Sequence, residues 1–474
     1  MKCCHQVVAQ VACLVLGCVM LTATATKENP DEVTRLPGLP YKLNFRHYSG
    51  YLKASGTKRL HYWFVESQDN PQHDPLLLWM NGGPGCSSLD GFLSELGPFY
   101  VRDNGRDLYL NTYSWNTIAN VLFLEAPAGV GFSYSEDGRY GTDDDTVSMD
   151  NYLALQDFFS KYPQFLANDF YVTGESYGGI YVPTLSLRVL NGTTPIRLKG
   201  FAVGNGLTSY AELQNSIVFF AYYHGLFGET LWHDLLANCC KGPGANECDF
   251  QSSNPDCTNN VGMVEVIVTM IGLNVYSLYQ DCATGASAQS LRYQFDMQHV
   301  FPALRNKSQA DNEAIRIIKN MSDDGLSMNP PCIDASAVTT WLNRSDVREA
   351  LHIPASVQPW ELCSQEVGSQ YKTLYKSMMK QYQQLLPHVR ALVYNGDTDM
   401  ACNFLGDEWF VESLKRKVTS ARQPWKFNHQ VAGFVKQFEN IDFVTIKGAG
   451  HMVPQFKPGQ ALKMIKSWLN QEPY

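Results

Sequence analysis

A serine stands between two glycines in the pentapeptide Gly174–Gly178, whose centre is Ser176. The segment 169–173 before it has the apolar pattern of a short buried strand, and the segment 179–187 after it opens like a helix. The glycines let the chain turn sharply from strand to helix, while the serine takes a strained backbone and exposes its hydroxyl. The pattern predicts a nucleophilic serine, although a tight turn with a solvated serine fits the pentapeptide alone equally well.

Titratable side chains follow two later strand patterns. The segment 390–394 runs into a loop that carries Asp397 and Asp399, and the segment 442–446 runs into a glycine-rich loop that carries His451. Strands of an open α/β sheet end at the edge where ligands bind, so these side chains can converge on the serine. Nucleophile, acid and base also follow one another along the chain in the order typical of hydrolases built on such a turn.

The expected roles follow from acid-base chemistry. A serine hydroxyl is a weak nucleophile, so an imidazole must take its proton and later return it to the leaving group. His451 suits that role, and a carboxylate on its other ring nitrogen would hold the tautomer. We favour Asp399 as this carboxylate, with Asp397 as the alternative. The competing interpretation is a loop histidine and two solvated turn carboxylates.

A second glycine-rich loop, Asn81–Gly85, follows the apolar strand pattern 76–80. Successive glycines let backbone N–H groups approach a ligand without hindrance from a Cβ atom. The loop is therefore a candidate to hold the oxyanion that forms when the serine attacks a carbonyl. A turn that only reverses the chain is the alternative.

Seven segments resemble signatures of the serine carboxypeptidase family. That resemblance implies an α/β-hydrolase fold, in which a mostly parallel central sheet is flanked by helices and carries an inserted cap domain. It implies peptide substrates with a free C-terminus and no cofactor or metal. Small departures are Gly178, where relatives often carry Ala, and Glu125, where many carry Asp. The segments are Trp79–Ser88, Phe123–Tyr134, Gly174–Tyr177, Gly204–Gly206, Val347–Leu351, Asn395–Asp399 and Gly448–His451.

The resemblance also implies roles around the serine. The backbone N–H groups of Gly83 and Tyr177 would hold the oxyanion. Asn81, Glu95 and Glu175 would bind the C-terminal carboxylate of the substrate, with Trp79 nearby. A glutamic acid that keeps its proton can donate a hydrogen bond to a carboxylate, so this site would work best at acidic pH. The alternative is a structural ion pair between Glu175 and a Lys or Arg.

Composition and the N-terminal segment indicate which partners are disfavoured and that the chain enters the secretory pathway. The 474 residues carry a net charge of −9 without a basic patch, which disfavours nucleic acid as a partner. An apolar run at 7–20, followed by small residues, predicts a signal peptide at 1–25. An uncleaved membrane anchor is the alternative, but the run is short for a span, and no later segment qualifies.

Thirteen cysteines are present, of which four lie in the predicted signal peptide, so nine remain. Four of these crowd into 239–257, which favours a local disulfide cluster over a zinc site, because no nearby histidine completes ligand spacing. The family resemblance implies that Cys402 stays free. It implies the pairs Cys86 with Cys363, Cys239 with Cys257, Cys240 with Cys248, and Cys282 with Cys332.

The distance of 399 − 176 = 223 residues between the serine and the favoured aspartate requires an insertion. We expect a catalytic core at 26–207 and 334–474, interrupted by a cap at 208–333. Within the cap, 284–331 is either a segment removed on maturation, as in lysosomal relatives, or a plain glycosylated loop. Possible cleavage sites are Arg292 and Arg305. Helices are predicted at 212–224, 229–237, 371–386 and 458–469.

Sequons at Asn191, Asn306, Asn320 and Asn343 are acceptors if the chain enters the secretory pathway. The resemblance implies a lysosomal location, with secretion as the alternative, a homodimer, and lysosomal glycosidases as partners. Two rival functions remain open. An esterase or amidase would share the catalytic groups without a carboxylate site, and a noncatalytic protein could protect other enzymes by binding them.

Overall fold

The computed structural model describes residues 29–102, 104–242, 244, 247–270, 272–283 and 332–474. The predicted signal peptide at 1–25 lies outside these ranges, and so does the predicted maturation segment at 284–331. Two of the sequons, Asn306 and Asn320, and both possible cleavage sites, Arg292 and Arg305, belong to that segment and also lie outside.

Thirteen strands are present in the described residues. Several, such as β3 and β6, are buried over their whole length, as expected of strands covered by helices on both faces. The strands are β1 (His47–Lys53), β2 (Lys58–Val65), β3 (Leu76–Met80), β4 (Phe99–Val101), β5 (Leu108–Leu110), β6 (Asn120–Leu124), β7 (Tyr134–Ser135), β8 (Phe170–Ser176), β9 (Leu198–Gly206), β10 (Arg390–Gly396), β11 (Val418–Phe427), β12 (Gln430–Phe438) and β13 (Ile441–Ile446).

The main sheet has the order β1-β2-β6-β3-β8-β9-β10-β13-β12-β11, with β7 on β2, while β4 and β5 form a separate hairpin. The pairs from β6 to β13 in this order are parallel, and antiparallel strands flank them at both ends. Because β3, β8, β10 and β13 run in one direction, the loops that follow them meet at one edge of the sheet. The predicted α/β-hydrolase fold is confirmed.

Helices cover both faces of the sheet. The first begins after Asp143, whose carboxylate accepts a hydrogen bond from the Thr146 N–H at 2.8 Å. The helices are α1 (Asp144–Lys161), α2 (Gly178–Asn191), α3 (Tyr210–Tyr223), α4 (Glu229–Cys239), α5 (Pro255–Met270), α6 (Ser336–Leu342), α7 (Ser345–Ala350), α8 (Gln365–Gln370), α9 (Met379–Leu385), α10 (Phe404–Ser413), α11 (Val453–Phe456) and α12 (Pro458–Asn470). Shorter 3₁₀ or π segments span Gly91–Glu95, Trp115–Thr117 and Pro163–Ala167.

The hydrophobic core forms two layers, one on each face of the sheet. One layer contains Phe158 of α1 and Val182 of α2. The other contains Trp79 and Trp468, the latter on α12 at the C-terminal end of the chain. Burial on both faces fixes the sheet and therefore the loops at its edge.

The insertion between β9 and β10 contains α3, α4 and α5 and then returns to the core. The Leu278 N–H donates to the Thr398 carbonyl at 2.9 Å, and the His451 N–H donates to the Tyr276 carbonyl at 2.7 Å. Strand β10 nevertheless pairs directly with β9. The chain therefore rejoins the same sheet after the insertion.

Disulfide bonds join Cys86 to Cys363, Cys239 to Cys257, Cys240 to Cys248 and Cys282 to Cys332, the same pairs that the family resemblance implies. Cys402 is a buried free thiol. None of the helices in the described ranges is long and apolar enough to span a membrane.

The helix predicted at 371–386 is wrong over its first half, because only Met379–Leu385 is helical. The buried carboxylate of Asp144 accepts hydrogen bonds from the backbone N–H groups of Leu374 at 2.6 Å and Tyr375 at 3.1 Å. It also accepts the Tyr371 hydroxyl at 2.8 Å. These contacts hold the segment in a non-helical path, which its amphipathic pattern could not reveal.

Gly179 and Gly178 provide a matched test of how closely α2 must approach β9. A Cβ atom on Gly179 would lie 2.5 Å from the Leu207 backbone nitrogen, whereas one on Gly178 would lie 3.3 Å from the Met80 carbonyl oxygen. We expect Gly179→Ala to lower the free energy of unfolding by about 1–3 kcal/mol, because the helix must move away from the sheet. Gly178→Ala should change it by less than about 1 kcal/mol. Equal urea midpoints for the two variants would contradict this packing.

Candidate active site

Ser176 is the last residue of β8 and has a φ of 60°, in the left-handed region that side chains rarely adopt. The β8–β9 register shifts between Glu175 and Ser176, so that Ser176 pairs with Gly206. Helix α2 begins two residues after the serine. The strand-to-helix turn predicted from the pentapeptide is present, and it leaves Ser176 partly exposed at the edge of the sheet.

Asp399 and His451 form a buried pair, with His451 Nδ1 2.8 Å from Asp399 Oδ2. The carboxylate also accepts the backbone N–H groups of Ala401 at 3.0 Å and Cys402 at 3.1 Å, and the Asn205 amide at 2.8 Å. With three donors already directed at its oxygens, the carboxylate acts as an acceptor, so His451 Nδ1 carries the proton that it donates. The Nε2 atom of His451 is then the free base.

Asp397, the alternative acid, holds the backbone instead. Its Oδ1 accepts the Gly448 N–H at 2.6 Å, and burial raises the pKa of this carboxyl above its ordinary value. This contact ties the loop after β10 to the loop after β13. The structure therefore pairs His451 with Asp399 and gives Asp397 a supporting contact.

Asn205 is a site residue that the sequence analysis did not single out. It has a φ of 40°, its amide nitrogen donates to Asp399 Oδ2, and its Oδ1 accepts the Gly396 N–H at 2.9 Å. These bonds orient the carboxylate from the neighbouring strand. The available signal was the segment Gly204–Gly206, where an asparagine stands between two glycines at the end of a predicted strand.

The loop after β3 packs against the serine turn. A Cβ atom on Gly82 would lie 2.3 Å from the Tyr177 nitrogen and 2.8 Å from the Ser176 Cβ atom, so only glycine fits there. Gly83 has a φ of 114°, which also requires glycine. The Tyr177 hydroxyl donates to Asp144 at 2.8 Å and so anchors the other side of the turn. The backbones of Gly83 and Tyr177 thus belong to loops in direct contact.

Two glutamates share one asparagine beside the serine. The Asn81 amide donates to Glu95 Oε1 at 3.0 Å and to Glu175 Oε1 at 2.9 Å, and all three residues are buried. The Trp79 ring N–H at 2.8 Å and the Gly91 N–H at 3.1 Å both donate to Asn81 Oδ1. Since the oxygen faces two donors, the amide nitrogen must point at the glutamates.

Burial makes these carboxyl groups hold their protons. It raises the pKa of Glu95 to about 8, with the nearby Asp90 adding to the effect, and it raises the pKa of Glu175 well above the ordinary value, with Glu95 as the next cause. Burial also raises the pKa of Asp90 to about 6. Among the described residues, neither glutamate lies within 4 Å of a Lys or Arg, so the geometry does not match the alternative structural ion pair.

The predicted sequons within the described ranges differ in accessibility. Asn191 is exposed at the end of α2. The Asn343 amide nitrogen donates to the carbonyls of Thr339 at 3.0 Å and Trp360 at 2.9 Å. A glycan on Asn343 would replace one of the two amide hydrogens and so break at least one of these bonds. The described residues contain no cluster of three or more His, Cys, Asp or Glu side chains that could hold a metal ion.

The raised pKa of Glu95 predicts how stability depends on pH. Between its unfolded value of 4.5 and its folded value of about 8, the folded protein keeps a proton that the unfolded chain has lost. Stability must therefore fall as the pH rises through this window, by at most about 1.4 kcal/mol per pH unit for one group. We expect Glu95→Gln, which mimics the protonated acid, to flatten this fall in urea unfolding from pH 5 to 8. The same slope in variant and wild type would contradict the assignment.

Comparison with known proteins gives matches along nearly the whole chain. Residues 37–471 match the family model for serine carboxypeptidases, peptidase S10. The lysosomal protective protein of Mus musculus is 49% identical over 457 residues, which cover 94% of each chain. Serine carboxypeptidase ctsa-4.1 of Caenorhabditis elegans is 41% identical over 467 residues, which cover 96% of this chain and 95% of that protein.

A solved structure shares the fold. The prohormone-processing carboxypeptidase Kex1Δp of Saccharomyces cerevisiae superposes with a TM-score of 0.70 at 23% identity, over 93% of this chain and 95% of that one. The sequence matches are not confined to the segments around Ser176 but run from the first strands to the last helix. The chain belongs to the serine carboxypeptidase family.

Proposed function

We propose that this serine carboxypeptidase releases the C-terminal residue of peptides at acidic pH through an acyl-enzyme on Ser176. The observation that carries the proposal is the pair Glu95 and Glu175, which Asn81 bridges and of which Glu175 directly precedes Ser176 in the chain. An esterase or amidase needs no such pair. A substrate carboxylate bound there lies a fixed, short distance from Ser176, which limits cleavage to the last peptide bond.

The acyl-transfer steps follow from the hydrogen bonds of the pair Asp399 and His451. The Ser176 oxygen attacks the carbonyl carbon, and His451 Nε2 takes the hydroxyl proton as the C–O bond forms. Asp399, which accepts the Nδ1–H of His451, stabilises the imidazolium. The proton then passes to the leaving amine as the C–N bond breaks, and a water molecule releases the acyl group by the reverse path.

The oxyanion of each tetrahedral intermediate would accept hydrogen bonds from the backbone N–H groups of Gly83 and Tyr177. What supports this role is the contact between their loops, in which Gly82 leaves no room for a side chain against Tyr177. Donors held in place by a rigid backbone do not need to reorganise as charge develops. One such donor contributes about two to three powers of ten in turnover.

Two proton requirements oppose each other. Binding of the substrate carboxylate needs a proton on Glu95 or Glu175, whereas catalysis needs His451 in its neutral form. The raised pKa values of the glutamates keep the binding site protonated through the acidic range. Ionisation of the pair at higher pH would place negative charge against the substrate carboxylate and weaken binding.

The lysosome is the proposed location. Its support is the similarity to a lysosomal protein of Mus musculus and four disulfide bonds, which form in the secretory pathway. The preference for hydrophobic residues, the homodimer and a protective association with lysosomal glycosidases stay predictions from the family resemblance. Copurification of glycosidases with a Ser176→Ala protein would separate a binding role from catalysis.

Carboxypeptidase activity is tested by comparing an N-blocked dipeptide with its C-terminal amide at pH 4 to 8, using protein trimmed by a trypsin-like protease. We expect release of the terminal residue at acidic pH and much slower hydrolysis of the amide, because the amide cannot engage Glu95 and Glu175. Ser176→Ala should abolish both rates. Equal rates on the two substrates would instead support an esterase or amidase.

The pH dependence of substrate binding is tested with Glu175→Gln. The glutamine amide can donate a hydrogen bond at every pH, whereas Glu175 does so only while it is protonated. We expect KM of the wild type for the dipeptide to rise from pH 5 to 8 and KM of the variant to rise less. Hydrolysis of an ester that lacks a free carboxylate provides the control and should show no such difference. A parallel rise in KM for both proteins would argue against a protonated Glu175.

A further inference from the structure

A second serine, histidine and carboxylate lie in a row within the core. The Ser49 Oγ atom of β1 is 2.9 Å from His61 Nε2 on β2, and His61 Nδ1 is 2.8 Å from Oε2 of Glu125, which follows β6. All three residues are 0% exposed. The arrangement resembles a catalytic triad in its order of contacts, but no substrate can reach it.

The direction of the hydrogen bonds also excludes nucleophilic chemistry. The Ser49 hydroxyl donates its proton to the Leu351 carbonyl at 2.8 Å, so it can only accept from His61. His61 Nε2 therefore donates to Ser49, while its Nδ1 atom lies against Glu125 on the other side. The imidazole ring thus links β1 to the carboxyl group of Glu125 inside the core.

Hydrogen-bond donors surround the carboxyl group of Glu125. Its Oε1 accepts from the Ser87 hydroxyl and from the Trp360 ring N–H at 3.0 Å, which is shared with Ser87, and its Oε2 accepts the Phe132 N–H at 2.9 Å and also contacts His61. A Cβ atom on Gly131 would overlap Glu125 Oε1, so the loop that follows β6 closes tightly around the carboxylate.

The buried pair of His61 and Glu125 connects to the loop of Gly83 through Ser87. The Ser87 hydroxyl oxygen accepts hydrogen bonds from the Trp360 ring N–H at 3.0 Å and from the Leu89 N–H at 3.1 Å. These two donors leave the hydroxyl proton of Ser87 to be donated to Glu125. The preceding residue, Cys86, donates its N–H to the Gly82 carbonyl at 3.0 Å and is bonded to Cys363. Ser87 is therefore the next residue after the turn that carries Gly83.

We propose that the buried pair of His61 and Glu125 positions the oxyanion donor of Gly83 by holding Ser87. The proposal rests on the proposed role of Gly83. The hydrogen bond between His61 and Glu125 Oε2 fixes the orientation of the carboxyl group, whose Oε1 atom then faces the Ser87 hydroxyl and the Trp360 ring N–H. Holding Ser87 in this way keeps the end of the Gly82–Cys86 turn in one place.

The test compares two ligands that differ only at the reacting carbon. An N-blocked amino aldehyde adds the Ser176 oxygen to its carbonyl and places an oxyanion against Gly83 and Tyr177, whereas the matching N-blocked amino alcohol binds without forming one. Inhibition constants for both are measured on trimmed wild type, Ser87→Ala and Glu125→Gln. The ratio of the two inhibition constants measures how strongly the oxyanion is stabilised, separately from the affinity for the rest of the ligand.

We expect the aldehyde to bind about 10-fold more weakly to Ser87→Ala and about 100-fold more weakly to Glu125→Gln, because a donor displaced by about 1 Å loses catalysis on this scale. The alcohol should bind all three proteins within about 3-fold. In dipeptide hydrolysis, kcat should fall in parallel with aldehyde affinity while KM changes little. Glu125→Asp, which keeps a carboxyl group, should retain more aldehyde affinity than Glu125→Gln.

Tyr62→Phe is the matched control for a lost buried hydrogen bond. The Tyr62 hydroxyl, also on β2, bonds to Asp31 and Tyr162 at 2.7 Å and lies in the core layer on the other face of the sheet. Its loss should lower the unfolding temperature without changing the ratio of aldehyde to alcohol affinity. The positioning proposal alone would be overturned if Ser87→Ala and Glu125→Gln kept the wild-type ratio of aldehyde to alcohol affinity. It would also be overturned if Glu125→Asp bound the aldehyde no more tightly than Glu125→Gln. A wild type that does not prefer the aldehyde would overturn the proposed function with it.

Discussion

Parallel pairing of β3, β8, β9, β10 and β13 is the constraint on which the site depends. Each strand is short, but the hydrogen-bonded register fixes where the next loop begins. Ser176 ends β8, Asp399 follows β10 and His451 follows β13. Side chains as far apart in sequence as Ser176 and His451 (451 − 176 = 275 residues) therefore reach the same edge of the sheet. The insertion between β9 and β10 leaves this register unchanged, because both strands still pair directly.

Three sets of buried carboxyl groups near that edge differ in their hydrogen-bond partners. Asp399 accepts from two backbone N–H groups, the Asn205 amide and His451. Glu95 and Glu175 share one amide and lack a cation within 4 Å among the described residues, and burial raises the pKa of both. Glu125 contacts Ser87, Trp360, Phe132 and His61. The partners of each carboxyl group thus determine the part that it can play.

Much of the sheet and of the candidate site could be predicted from the sequence, because in those places a local pattern fits only one structure. The glycines two residues before and after Ser176, and the apolar strands before the loops, defined the sheet edge and the triad candidates. The sequence favoured Asp399 over Asp397 but left both open, because both follow the same strand and only their partners in the fold differ. The false helix over 371–378 has a related cause. Asp144, which is distant in sequence, accepts hydrogen bonds from the backbone N–H groups of Leu374 and Tyr375 in that segment. A pattern within the segment cannot reveal such a partner.

Strain at the site is offset by the packing around it. Ser176 and Asn205 both have positive φ values, at adjoining ends of β8 and β9, in conformations that residues other than glycine adopt at a cost. The Asn205 side chain bonds to Asp399 and to the Gly396 N–H, while Gly179 lets α2 pack against the end of β9. The hydrogen bond from Asn205 to Asp399 holds a strained residue and also orients one of the proposed catalytic groups. Relaxing the strain at Asn205 would therefore displace Asp399, and the same buried sheet that folds the chain keeps these side chains together.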